Sequence, residues 1–205
     1  MNMRITVNCH SSIRIAGDKV IYFDPFKIER AKHDADYIFI THDHYDHFSV
    51  DDIKKVEKED TVYVIPDCMY NLLGGENVIT MKPGDVTNLD GIMVEAVPSY
   101  NHAKQFHLKE KGYLGYVLFY EGKRVYVAGD CDINDDNLKI TCDIALIPIG
   151  GHYTMDYKEA ARFINKIAPE IAIPTHYGDL VGKMDVGEKF AELVHSEIKV
   201  RLKIN

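Results

Sequence analysis

The chain has 205 residues, 46% of them hydrophobic and 27% charged, and a formal net charge of −8. This suits one soluble globular domain with a sizeable core, and the acidic balance speaks against gripping a phosphate backbone, so no nucleic-acid partner is expected. No apolar run is long enough to span a membrane, no signal-like leader is visible, and four cysteines without C-x-x-C spacing do not make a disulfide scaffold; a cytoplasmic protein with free thiols is expected.

Taken in order, residues 4–7, 12–15 and 20–23 read as short strands, with Gly17-Asp18 turning between the second and third. Residues 37–40 are an apolar run suited to a buried strand. Ser49 is an N-cap for a short helix carrying Ile53 and Val56. A strand over 61–65 stops at Pro66, and 67–73 predicts a short helix closed by Gly74-Gly75. Strands follow over 78–81 and 92–97, then a hairpin of 115–120 and 124–128 around Glu121-Gly122-Lys123. Residues 143–149 are a continuous apolar strand. Asp156 and Glu159 form a capping pair for an amphipathic helix to 167. A strand over 170–173, a helix over 185–195 and a last strand over 198–204 complete the chain. Two mixed sheets with helices outside would satisfy these faces. With no linker or repeat, residues 1–205 read as a single domain.

The chemistry is concentrated in Thr41-His42-Asp43-His44-Tyr45-Asp46-His47, which leaves the 37–40 strand. Helical spacing would not bring three histidines and an aspartate together, but a tight loop could. Imidazole and carboxylate are natural ligands for zinc, iron or manganese. Other residues of ligand type also follow strands: Asp24, Asp130 and His176, with His102 and His107 after Pro98. In a layered fold such ends can meet at one edge.

The series Asp24, His42-x-His44-x-Asp46-His47, a histidine near residue 102, Asp130 in Ala128-Gly129-Asp130, and His176 resembles the metallo-β-lactamase superfamily over nearly the whole chain. Phe23-Asp24-Pro25-Phe26, Pro148-Ile149-Gly150-Gly151, Tyr153-Thr154-Met155 and Pro174-Thr175-His176-Tyr177-Gly178 resemble its single-domain metal-dependent hydrolase branch, related to L-ascorbate-6-phosphate lactonase. The fold implied is α/β (α+β), a four-layer αββα sandwich of two mixed β-sheets flanked by helices. The resemblance implies two divalent metal ions, zinc first, with manganese, iron and nickel as alternatives. His42, His44 and a third histidine would hold one ion, Asp46, His47 and His176 the other, and Asp130 would bridge them. Asp24 would hydrogen-bond within the ligand loop, and Asp46 would orient a metal-bridging hydroxide.

His102 is preferred as the third histidine, with His107 as the alternative. His10, at the end of the first strand, and His152 are candidates to support the site or meet substrate. His33 and His195 are expected at the surface, and Cys131 as a small buried residue. Lys104 and Lys109 are either solvated or placed to meet an anionic substrate. The implied function is hydrolysis of a small ester, lactone or phosphodiester. The alternative is a non-catalytic, metal-dependent metabolite-binding or sensor protein. Self-association is left open.

Overall fold

The structure is a computed structural model describing residues 3–102 and 104–204. Its first sheet contains β1 (Arg4–Cys9), β2 (Ser12–Ala16), β3 (Val20–Phe23), β4 (Tyr37–Phe39), β5 (Val62–Pro66) and β6 (Val78–Met81), in that spatial order. The second runs from β7 (Val86–Leu89) through β8 (Ile92–Pro98), β9 (Leu114–Tyr120), β10 (Lys123–Val127), β11 (Ile144–Pro148) and β12 (Ile171–Thr175) to β13 (Lys199–Val200). Both sheets start antiparallel and turn parallel, the first at the β3/β4 pair and the second at β10/β11. The parallel strands therefore bring their carboxyl ends to a common edge, the usual place for a site in such sheets.

Strand alternation explains the layers. Ile21, Phe23, Tyr37, Phe39, Val125, Val127, Ile144 and Leu146 turn inward and fill the space between the sheets. Their neighbours Tyr22, Ile38 and Ile40 face outward to meet Ile53 and Val56 of helix α1 (Val50–Val56). On the other side Tyr126, Ala145, Ile147 and Ala172 meet α2 (Tyr157–Ile167) and α3 (Val186–Leu193). The result is the four-layer αββα sandwich.

Asp156 accepts from the backbone N–H groups of Lys158 and Glu159, and the Glu159 side chain takes the Asp156 N–H, so both halves of a capping box are present. Phe163, on the inward face of α2, is fully buried. Phe163→Ala is expected to cost about 3–5 kcal/mol, read as a lower urea midpoint with an unchanged slope.

The local readings differ from the structure in three places. Residues 67–69 form only a 3-10 turn, because the apolar content of 67–73 is too small to bury a helical face; Tyr70 and Leu72 are exposed. The edge strand β7 has the pattern Val-Thr-Asn-Leu, with little apolar alternation to signal it. The last strand pairs over two residues only. Among the described residues, no helix is long and apolar enough to cross a membrane.

Candidate metal centre

Four site residues have left-handed backbone: His10 (φ 52°), Asp24 (φ 45°) and His176 (φ 57°), each directly after a strand, and His107 (φ 59°) in the loop between β8 and β9. A non-glycine residue is held there at a cost of about 1–2 kcal/mol, and a cluster of such residues marks a functional region. Gly129, before Asp130, has φ +65°, and an added Cβ would stand 3.0 Å from Leu114 O and from Ser99 Oγ and 3.2 Å from Thr41 Cβ. Only glycine lets the Asp130 turn press against the histidine loop.

Thr41 and Asp24 set the orientation of two imidazoles. Asp24 accepts from Thr41 N (2.8 Å), Thr41 Oγ1 (2.7 Å) and His47 Nδ1 (2.7 Å). Since Thr41 Oγ1 gives its proton to Asp24, it accepts from His42 Nδ1 at 3.0 Å. Both rings thus carry their proton on Nδ1 and turn an Nε2 into the site, the carboxylate–histidine arrangement that orients metal ligands. Burial raises Asp24 above the usual carboxylate range, against the pull of His47 and Thr41. Burial disfavours charge on His47 as well, but Asp130 and Asp24 outweigh it and hold the imidazole well above its ordinary value. Asp24→Asn, which keeps the shape and removes the charge, is expected to weaken metal binding about 10–100-fold in a competition titration with a chromophoric chelator.

The first histidine cluster is His42, His44 and His107. His107 Nε2 stands 3.2 Å from His42 Nε2 and 3.1 Å from His44 Nδ1, and those two atoms are 3.1 Å apart. Burial draws His107 down to about 4, with Asp130 opposing, and draws His42 well below its ordinary value together with the His47 charge. These two rings are held neutral, as ligands must be. The second cluster is His10, Asp46, His47 and His176. Asp46 Oδ2 is 3.0 Å from His10 Nε2, 3.7 Å from His47 Nε2 and 3.8 Å from His176 Nε2. Burial acts to raise Asp46, but the His10 hydrogen bond and His47 win and lower it to about 2.

Asp130 lies between the clusters. Its Oδ2 is 3.0 Å from His176 Nε2 and 3.5 Å from His107 Nε2, and its Oδ1 is 3.4 Å from His47 Nε2. Burial would raise this carboxyl, but His176 and His47 hold it well below the usual range. Buried His47 Nε2, His176 Nε2 and Asp130 Oδ1 have no partner in hydrogen-bond geometry; the 3.0–3.4 Å approaches are close but misaligned. Unsatisfied buried donors and acceptors that converge on one volume fit a cation, whose ligands they would become.

Of the two histidines after Pro98, His107 and not the preferred His102 lies with His42 and His44. Asn101 takes the inward position after β8, its Nδ2 donating to Phe106 O (2.9 Å) and Tyr153 O (2.7 Å) and its N–H to His107 O (2.8 Å). That clasp returns His107 to the edge and leaves His102 exposed against the Tyr100 ring. His152 is likewise exposed, and its neighbour Tyr153 turns to the site instead. His33 and His195 are exposed and Cys131 is buried. Lys104 pairs with Asp132 and donates to Thr154 O, and Lys109 pairs with Asp136, so neither stands in the site. A lone asparagine carries no periodic signal, so the one sequence hint of Asn101 is its place in Tyr100-Asn101-His102.

A cavity of about 490 Å³ opens over the two clusters, with His44, Asp46, His107, Asp130 and His176 reaching its floor. That is within the range of small-molecule sites.

Residues 4–176 match the β-lactamase superfamily domain model. A UPF0173 metal-dependent hydrolase of Pyrococcus abyssi is 31% identical over 208 residues, covering 93% of this chain and 92% of its own. One from Lysinibacillus sphaericus is 30% identical over 218 residues, covering 97% and 96%. The crystal structure of a Parabacteroides distasonis protein superposes with a TM-score of 0.85 at 31% identity, over 99% of this chain and 94% of that one. Igni18, a metallo hydrolase of Ignicoccus hospitalis, superposes with a TM-score of 0.80 at 25% identity, over 98% and 95%. With this extent of similarity, and buried histidines and carboxylates gathered at one sheet edge, the chain belongs to the β-lactamase superfamily and, within it, to the UPF0173 metal-dependent hydrolases.

Proposed function

We propose that the protein hydrolyses a small ester, lactone or phosphodiester with two divalent cations, zinc first among them. His42, His44 and His107 would hold one cation, and Asp46, His47 and His176 the other. The observation that carries this reading is Asp130, a buried carboxylate with one oxygen toward His47 and the other toward His176 and His107. Two like charges side by side need an anion between them, and Asp130 is the group available. Bound there, the cations would lower the pKa of water to about 7 and polarise the oxygen of the bond under attack.

The chain's own groups do the positioning. His10 Nε2–H donates to Asp46 Oδ2, which fixes that carboxylate at the cavity floor. Ionised far below neutral pH, Asp46 accepts a hydrogen bond from the attacking water and orients it. Asp24 and Thr41 keep His47 and His42 turned inward. Asn101 holds His107 and Tyr153 in one rigid corner.

The test is a screen of metal-loaded protein against carboxylic esters, lactones and phosphodiesters, with His44→Ala as control. Turnover in at least one class, lost in His44→Ala, is expected. Tight binding of a metabolite recovered intact would favour the sensor alternative. Absence of turnover in every class would sink the hydrolase reading. Chelation should also lower the melting temperature, since metal at about 1,000 times its Kd adds about 4 kcal/mol to the folded state. An unchanged melting temperature after verified metal loss would contradict the ligand assignment.

A further inference from the structure

The walls of the cavity differ in chemistry from its floor. Tyr45, Phe106, Tyr153, Leu180 and Val181 surround the opening. Tyr45 is 69% exposed, Phe106 48% and Leu180 38%. Phe106 meets Tyr153 edge-on, with ring centres 5.1 Å apart, and Tyr45 leans on Phe26 at 6.1 Å. Scattered exposed apolar side chains are ordinary, but several gathered around one cavity above buried polar groups mark a ligand surface. Asn101 makes this surface firm, because its amide holds both the Phe106 and the Tyr153 carbonyls.

Charge points the same way. Among the described residues, no lysine or arginine lines the cavity. Three lysines of the surrounding loops are engaged with carboxylates: Lys104 with Asp132, Lys109 with Asp136, and Lys27 with Asp179. The walls do contain an anion, Asp43, which accepts from Tyr113 Oη at 2.5 Å. Two divalent cations would more than offset Asp46 and Asp130 at the floor, where the reacting group sits, while among the wall residues Asp43 is the charged one. A second negative charge carried out at the walls, away from the cations, would meet no lysine or arginine among the lining residues and one carboxylate.

Resting on the hydrolase reading above, we infer that the group flanking the reacting bond is uncharged and apolar, an alkyl or aromatic acyl moiety, and that Phe106, Tyr153, Leu180 and Tyr45 select it. This departs from an anionic, phosphorylated substrate of the kind the lactonase resemblance suggests.

The experiment compares phenyl hexanoate with the phenyl monoester of succinic acid, which presents a carboxylate at similar reach. Metal-loaded wild-type protein is expected to favour the neutral ester by about 10-fold or more in kcat/KM. Phe106→Lys and, separately, Leu180→Lys should shrink or reverse that ratio with metal content and melting temperature unchanged. An anionic ester cleaved equally well or better by wild type, or a ratio untouched by both lysine variants, overturns the inference. Failure to cleave either ester, in a protein inactive across the whole screen, counts against the hydrolase reading, and calorimetry then decides the inference. Hexananilide binding about 10-fold tighter than succinanilic acid would support it, and the reverse order would overturn it.

Discussion

His107→Ala protein is expected to lose one equivalent of metal and at least about 100-fold in kcat/KM, while His102→Ala keeps both close to wild type. His107 Nε2 is buried within 3.2 Å of His42 Nε2 and His44 Nδ1, so alanine there leaves a three-nitrogen cluster with two nitrogens. His102 is exposed beside Tyr100, and its removal touches no member of either cluster. Metal analysis of dialysed protein by mass spectrometry checks the first half, and steady-state kinetics on any substrate found checks the second. If His102→Ala lost the metal equivalent and His107→Ala retained it, the assignment of the first cluster would be wrong. His107→Gln adds a control for packing, because it refills part of the ring's volume without restoring the imidazole.

Asp130→Asn is expected to have the larger effect on catalysis, a fall on the order of 1,000-fold, with metal content dropping below two equivalents. The amide has nearly the carboxylate's shape, so Gly129 still packs against Thr41, and Ser99 Oγ can still donate to the Asp130 carbonyl at 3.1 Å. What is lost is the negative charge between His47, His107 and His176. Without it two cations would repel across a short gap with no carboxylate between them. Elemental analysis and activity, read together with an unchanged circular dichroism spectrum, separate this from unfolding. Full metal content with full activity in Asp130→Asn would remove the main support for the two-cation reading.

Much of the architecture was legible because strand alternation and strand length are local properties. Phe39 turning in while Ile38 and Ile40 turn out follows from the period of two. The capping box at Asp156 and Glu159 is also local, since the four residues that make it are contiguous. The segment over 67–73 misled because its apolar residues suggest a helix only until one asks what they would pack against. Edge strand β7 was missed for the related reason that a ladder partner, β8, holds it and its own pattern does not.

For the candidate site, residue type and spacing sufficed to single out His42, His44, Asp46 and His47, since four ligand-type side chains within six residues have few structural uses. Asp24, Asp130 and His176 were legible as residues that follow strands. Which histidine completes the first cluster was not, because both candidates lie in one loop after Pro98, and its path depends on a hydrogen bond from Asn101 to Tyr153, 52 residues away. The same holds for His10, whose contact with Asp46 joins the end of β1 to the ligand loop, and for the apolar walls, assembled from Tyr45, Phe106, Tyr153 and Leu180. The sequence by itself determined the kind of chemistry and the layered fold, because ligand type and periodicity are carried by neighbouring residues. The tertiary structure alone decided the membership of each cluster and the character of the cavity above them, because those depend on distances between segments far apart in the chain.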